Sequence, residues 1–399
     1  MIAGVIRPEY ELLLCCARTT MDEETTERMQ RLLSQPIDWS YLVRLAVYHR
    51  VIPLLYRSLE QNCPGAAPKE VSLKLRNYYQ ANTRRNLFLT GELITLIDLL
   101  EIHRIPSISY KGPVLAILAY GEVSLRQFGD LDILVRPDDY FKTRNLFLAH
   151  GKSLAADLGW ECSLVDDTRG VCIDLHRGIT PEKFPVRLDF QRLQERTEPV
   201  LIAGGKINTF CAEDMLVVLC IQLVKDAWGM GSLRLSKLCD IAELLRACSG
   251  IDWERVFEEA RRLGGQRLLL VSLSVAHELL GAQVPESLTR FKLQPHLGAL
   301  TSYVCQELFH EADDSRPMQG TKASFHFKLR ERWRDKLYPY YHDFKLRTIP
   351  NEKDRVLVSL PESLRFLYYV IRPIRLTRDY GLNLINMLKA KYLSRHGRR

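Results

Sequence analysis

The 399-residue sequence predicts an α+β fold, in which one small mixed sheet sits between helical regions. Three observations lead there. Apolar residues recur at helical spacing through residues 8–104, and again from Ala212 to about residue 310. Between these stretches the period shortens to that of strands, at Ile105–Tyr110, Leu131–Arg136, Cys162–Val165 and Val171–Leu175. The last two runs flank Asp166-Asp167-Thr168-Arg169-Gly170, a turn-rich link that predicts a hairpin.

The elements follow in order. Asp38 is a candidate N-cap for a helix carrying Leu42, Leu45, Ala46 and His49. A loop with Pro64, Gly65 and Pro68 precedes a long helical pattern through Leu89, Leu93, Leu96 and Leu100. Helices are expected at about 113–120 and 137–150, between the strands. Leu201–Ala203 and Lys206–Phe210, around Gly204-Gly205, predict a second hairpin. Ile37-Asp38-Trp39 and Ile251-Asp252-Trp253 are followed by the same apolar offsets, so one capped helix pattern is used twice. The expected division is a helical region over 1–104, a core over 105–210, a helical domain over 211–310 and a basic region over 311–399.

The net charge of +8 resides in that last region. Residues 322–347 hold eight Lys/Arg against three Asp/Glu, and residues 372–399 hold eight against one, so the remainder is net negative. An anionic partner is expected there: a membrane surface, nucleic acid or an acidic protein; a solvated helical tail is the plainer reading. Phe366, Tyr368 and Tyr369 beside Arg365, Arg372 and Arg375 give the tail an amphipathic mix suited to anionic lipid. Ten cysteines form no C-x-x-C pair and no zinc-like Cys/His spacing, which fits a reducing, cytoplasmic setting without disulfides. No signal-peptide pattern opens the chain, and no apolar run is long enough to span a membrane. Peripheral attachment to a membrane stays compatible with this.

The chemistry concentrates in three places. Asp130 and Asp132 precede Ile133-Leu134-Val135, a run expected for a strand buried on both faces. Alternate residues of a strand share a face, which sets the two carboxylates about 6–7 Å apart. At that distance two bare charges repel by about 2–3 kcal/mol at an effective dielectric of about 20, and a hard cation such as Mg²⁺ or Mn²⁺ removes that cost. The bland alternative is a pair of turn or capping carboxylates. Lys111-Gly112-Pro113 ends a strand and opens a helix: glycine permits a tight turn, proline suits the first helical turn, and the helix N-terminus with Lys111 offers positive potential to a phosphate. An ordinary strand–helix turn with a surface lysine is the alternative. Asp174, between Ile173 and Leu175, is costly to bury unless paired or bound to metal. His176 shares its face, to orient a carboxylate, bind phosphate or hydrogen-bond within the core.

In the order strand, Lys-Gly turn, helix, Gly-Asp-x-Asp strand, helix, strand, Asp strand, the chain resembles the polymerase-β-like nucleotidyltransferase superfamily. More closely it resembles the bacterial nucleotidyltransferase family with the block read here as Tyr110-Lys111-Gly112, Leu125-Arg126, Gly129-Asp130-Leu131-Asp132-Ile133-Leu134-Val135 and Asp174-Leu175-His176. The likeness extends to Trp228 and Asp240. It implies that Asp130, Asp132 and Asp174 hold divalent metal, and that Lys111 and Gly112 cradle the phosphates of an NTP such as ATP. Arg126 would bind phosphate or substrate, with a structural ion pair as the alternative. Lys237 and Asp240, three apart on a predicted helix, read as a surface pair, with nucleotide contact as the alternative. The chain departs from the superfamily in having Pro113 after Gly112, without an N–H to give, and in a longer gap to Asp130. The implied activity is metal-dependent transfer of a nucleotidyl group to a hydroxyl-bearing acceptor, with release of pyrophosphate. A non-catalytic binding or scaffold protein on a degenerate transferase fold is the rival expectation.

Overall fold

A computed structural model describes residues 7–181, 184, 186–227, 233–286, 295–309, 325, 327–337, 361–369 and 372. The chain divides into two compact units, Met1–Glu331 and Arg332–Arg399.

The first unit opens with five helices: α1 (Pro8–Cys16), α2 (Glu23–Leu33), α3 (Trp39–Tyr48), α4 (Ile52–Asn62) and α5 (Lys69–Ile102). Then come β1 (Ser107–Ser109), α6 (Gly112–Tyr120), β2 (Asp130–Val135), α7 (Tyr140–Ala149), β3 (Ser153–Asp157), β4 (Glu161–Asp166) and β5 (Val171–His176). A short α8 (Phe190–Gln194) precedes the hairpin β6 (Thr197–Ile202) and β7 (Gly205–Phe210). The helical period returns in α9 (Ala212–Lys225), α10 (Leu235–Ala247), α11 (Trp253–Leu263), α12 (Gln266–Leu280) and α13 (Pro295–Phe309).

The five-stranded sheet runs β1-β2-β5-β4-β3. Its centre is the parallel pair β2–β5, and every other pairing is antiparallel. Both predicted hairpins form. β3 is an addition that the sequence pattern does not announce: Ser153–Asp157 is exposed at every residue, so no burial alternation marks it.

Strand alternation gives the sheet two different faces. One carries Leu131, Ile133, Ile173, Leu175 and Leu164, packed with Leu89 and Leu93 of α5 and Phe147 of α7. The other carries Asp130 and Asp132 from β2, Asp174 and His176 from β5, and Glu161 and Ser163 from β4. On that side Leu134 and Ile108 join a second core built mainly from the flanking helices. β2 is buried from Leu131 to Val135, as a doubly covered strand should be.

The repeated Asp-Trp element recurs as structure. Asp38 caps α3 by accepting from Tyr41 N at 2.9 Å, and Asp252 caps α11 by accepting from Arg255 N at 3.1 Å. In each case a glutamate near the start of an earlier helix accepts from the Asp backbone N–H: Glu9 at 2.8 Å and Glu213 at 3.1 Å.

All ten cysteines are free. Among the described residues no helix is long and apolar enough to cross a membrane. Within the second unit Phe366 and Tyr369 are exposed and Tyr368 is buried. Beyond Arg372 the basic stretch lies outside the described residues, as do Trp228, Arg375 and the side chain of Arg365.

Candidate functional site

The site starts from register. Asp132 on β2 lies opposite Asp174 on β5, and Asp130 lies opposite Cys172. In-register residues on neighbouring strands share a face about 5 Å apart, so all three carboxylates gather on one side of the sheet. Their proximity is felt electrostatically. Burial raises the pKa of Asp174, and the charges of Asp132 and Asp130 raise it further, against a 2.7 Å hydrogen bond from Ser163 Oγ.

Asp132 is the most enclosed of the three, at 3% exposed. Lys111 Nζ donates to its Oδ1 at 2.8 Å, and His176 Nε2 lies 3.2 Å from the same oxygen. Burial opposes the Asp132 charge, but Lys111 and His176 outweigh it and hold the carboxyl far below the usual range. Burial likewise opposes charge on Lys111 and on His176. For each the contact with Asp132 wins, so both pKa values are raised. On the far side of the imidazole, Nδ1 lies 3.1 Å from Glu161 Oε2, within ion-pair distance but poorly aligned for a hydrogen bond. Of the open alternatives for His176, orienting a carboxylate is the one its contacts match.

The Lys-Gly turn abuts the carboxylates. Gly112 adopts φ +53°, where a side chain is strained, and a Cβ there would come within 3.4 Å of Asp130 O. The turn therefore holds the N-terminus of α6 against the first residue of the Asp130–Asp132 strand. Pro113 lies in the first turn of α6.

Arg126 is committed elsewhere. Nε and Nη2 donate to Asp240 at 2.7 and 2.9 Å, and Tyr120 Oη donates to the same carboxylate at 2.7 Å. The structural ion pair named as the alternative is thus present. Nη1 is buried without a hydrogen-bond partner. The expected surface pair of Lys237 with Asp240 gives way to a different arrangement: Asp240 is buried at 2% exposure, and Lys237 lies 3.5 Å from Asp226. The segment before Arg126 is pinned by α5, where Asn86 Nδ2 donates to Val123 O at 2.6 Å and Arg126 O at 2.7 Å, and Asn82 Nδ2 to Ser124 O at 2.9 Å.

Part of this set lines a cleft of about 240 Å³; Gly112, Asp174 and His176 are not among its lining residues. It is lined by Lys111, Arg126, Gln127, Phe128, Asp130 and Asp132 from the segment 111–132, and by Arg50, Asp226, Arg234, Ser236, Lys237 and Asp240 from the helical regions. Sequence reasoning missed Glu161, Ser163, Arg50 and Arg234. Counting outward from the 166–171 turn would have paired residue 163 with 174 and 161 with 176; the two arginines carry no such local signal.

The donor chemistry fits a hard divalent cation. Three carboxylates share one face, the Asp130 carboxylate makes no hydrogen bond or ion pair with a described residue, and the proton affinity of Asp174 is raised by its neighbours. The set is not a closed cage, because among the described residues no three His, Cys, Asp or Glu side chains already converge on one point. Lys111 supplies the positive charge at Asp132 instead.

Comparison with known proteins adds the following. The solved structure of the antibiotic-resistance factor ANT(2'')-Ia shows 13% identity and a TM-score of 0.34, over 48% of this chain and 98% of that one. An antigenic nucleotidyltransferase-like protein from Paracoccidioides brasiliensis shows 16% identity and a TM-score of 0.33, over 50% of this chain and 94% of that one. No curated protein matches the chain. A family profile described as "Uncharacterised nucleotidyltransferase" matches residues 35–281, from α3 to the end of α12 and through every residue of the cleft. With well over half its length matched, and the Lys-Gly turn and all three aspartates inside the match, the chain belongs to the uncharacterised nucleotidyltransferase family.

Proposed function

We propose that the chain transfers a nucleotidyl group from an NTP to a hydroxyl-bearing acceptor, releasing pyrophosphate. One observation carries this reading: Asp132 and Asp174 stand in register, with Asp130, beside the glycine turn that opens α6. Asp130, Asp132 and Asp174 would hold Mg²⁺ or Mn²⁺, which lowers the charge barrier at the phosphates and the pKa of a bound hydroxyl.

The protein's own groups then have separate tasks. Lys111, the Gly112 turn and the N-terminus of α6 receive the β- and γ-phosphates, for which Lys111 Nζ leaves Asp132 Oδ1. His176, backed by Glu161, keeps Asp132 oriented after the lysine departs. The acceptor oxygen attacks the α-phosphorus, the bond from that phosphorus to the bridging oxygen breaks, and pyrophosphate leaves against Lys111. Asp174, whose raised pKa suits a proton acceptor, takes the hydroxyl proton, and Ser163 fixes its rotamer.

The test is incubation with each α-labelled NTP, Mg²⁺ and a cell extract, comparing wild type with Asp130→Ala. Labelled product from wild type alone supports the reading and identifies base and acceptor. Equal labelling in both discards it.

A non-catalytic reading draws on one observation. Lys111 and His176 already neutralise Asp132, so the carboxylates need no metal to coexist. It predicts NTP binding, if any, that is indifferent to Mg²⁺ and to Asp130→Ala with Asp132→Ala, which metal titration measures.

A further inference from the structure

The cleft has a second end, between the α3–α4 corner and the start of α10, whose side chains play no part in the steps above. Three hydrogen bonds join the corner to α10. Arg234 Nη1 donates to Tyr48 O at 2.7 Å, Leu235 N to His49 Nδ1 at 3.2 Å, and Ser236 N to His49 O at 3.2 Å. Burial, with help from Arg234, pushes the His49 pKa down to about 4, so the ring stays neutral and Nδ1 is free to accept. This joint sets Arg50 and Arg234 on the cleft wall, with Lys237 one turn further along α10.

Charge at this end is unbalanced. Three cations, Arg50, Arg234 and Lys237, stand with two carboxylates, Asp226 and Asp240, and the second of these is already taken by Arg126. Burial lowers the Arg234 pKa, and repulsion from Arg50 lowers it further. The Arg50 side chain makes no hydrogen bond or ion pair with a described residue, while its backbone N–H donates to Val47 O at 3.1 Å. Its φ of +56° is one that favours glycine, the residue that commonly closes a helix in this conformation. Between the two ends, Arg126 lines the cleft at 9% exposure, with Nη1 buried and unpartnered.

We infer that this end of the cleft binds an oxyanion carried by the acceptor, a phosphate monoester foremost, held by Arg50 and Arg234 with Arg126 Nη1 as a further donor. The assignment rests on reading the carboxylate end as the nucleotide site. Planar guanidinium forks match phosphate oxygens in pairs, whereas a neutral or cationic acceptor would leave these charges uncompensated. The nucleotide's own phosphates are the other source of such an anion; in the reading above, the Lys111–Gly112 turn receives those.

The experiment titrates the full chain, loaded with a non-hydrolysable NTP analogue and Mg²⁺, with inorganic phosphate, for wild type, Arg50→Gly and Arg50→Lys. Glycine relaxes the positive φ, so Arg50→Gly is expected to melt no lower than wild type. It should keep analogue affinity within about twofold and lose phosphate affinity by about tenfold or more, with Arg50→Lys retaining part of it. Absence of phosphate binding to loaded wild type, or equal phosphate affinity in Arg50→Gly, overturns the inference. A loss of analogue affinity of about tenfold in Arg50→Gly gives the arginine to the triphosphate and also overturns it. Failure of the analogue to bind wild type counts against the nucleotide reading instead; the same titration of the unloaded chain then decides whether Arg50 holds an oxyanion.

Discussion

Lys111 Nζ rests 2.8 Å from Asp132 Oδ1, so a side chain that the turn offers to phosphate neutralises the carboxylate offered to metal. The two roles compete for one lysine. In the proposed function a phosphate would draw Lys111 away, and its departure would leave Asp132 as a buried anion in need of a cation. Nucleotide and metal binding would then be coupled through this contact.

Lys111→Ala separates the two. Without the ammonium, His176 is the positive partner left within ion-pair distance of Asp132 among the described residues. Mn²⁺ binding to the nucleotide-free chain, followed by electron paramagnetic resonance, should tighten. Affinity for Mg²⁺·NTP should fall by about tenfold or more, as one charge-assisted phosphate contact is lost. Weaker Mn²⁺ binding in the variant would show that the lysine does not compete with metal.

Asp240→Ala tests the tie between α10 and the core. It strands Arg126, 9% exposed, without its bidentate partner and removes the acceptor of Tyr120. Truncating one partner of a buried ion pair costs about 3–5 kcal/mol. Urea unfolding should show a loss of that order; a loss below about 1 kcal/mol, as for an exposed pair, would contradict the burial.

Stability should depend on pH through His176. Its folded pKa is raised above the unfolded value of about 6.5. The contribution is therefore complete below about pH 6.5 and lost as pH rises through the folded pKa. Asp132 has the opposite sign: its depressed pKa stabilises above the unfolded value of about 3.9, and the gain is lost in acid. Unfolding free energy of wild type should decline from pH 6.5 upward, and His176→Gln should remove that slope while leaving the acid limb. An unchanged slope in the variant would assign it to another group.

Ser163→Ala addresses Asp174. The serine hydroxyl donates to the carboxylate at 2.7 Å and lowers a pKa that burial and two neighbouring aspartates raise. Removing it should lift that pKa, moving the acid limb of the kcat/KM profile to higher pH. A limb that stays in place would mean Asp174 does not receive the proton.

Much of the site could be read from local pattern. Asp130 and Asp132 share a face because strand side chains alternate, and the Asp166–Gly170 turn sets the register that brings Ser163 beside Asp174. Gly112 announced a turn, and its positive φ is one that glycine adopts without strain. Asp38 and Asp252 marked helix starts through their caps. Each of these features is determined within a few residues along the chain.

What the sequence alone determined, then, was the strand and helix periods, the turn and the face on which the acids lie, because those follow from backbone geometry between neighbours. Only the tertiary structure decided the partners. Arg126 reaches Asp240 across 114 residues and Arg234 reaches Tyr48 across 186, giving an expected phosphate ligand a structural ion pair and bringing an unremarked helix corner to the cleft. Charge pairing at such separations depends on which surfaces the apolar cores bring together, and no local spacing encodes that choice.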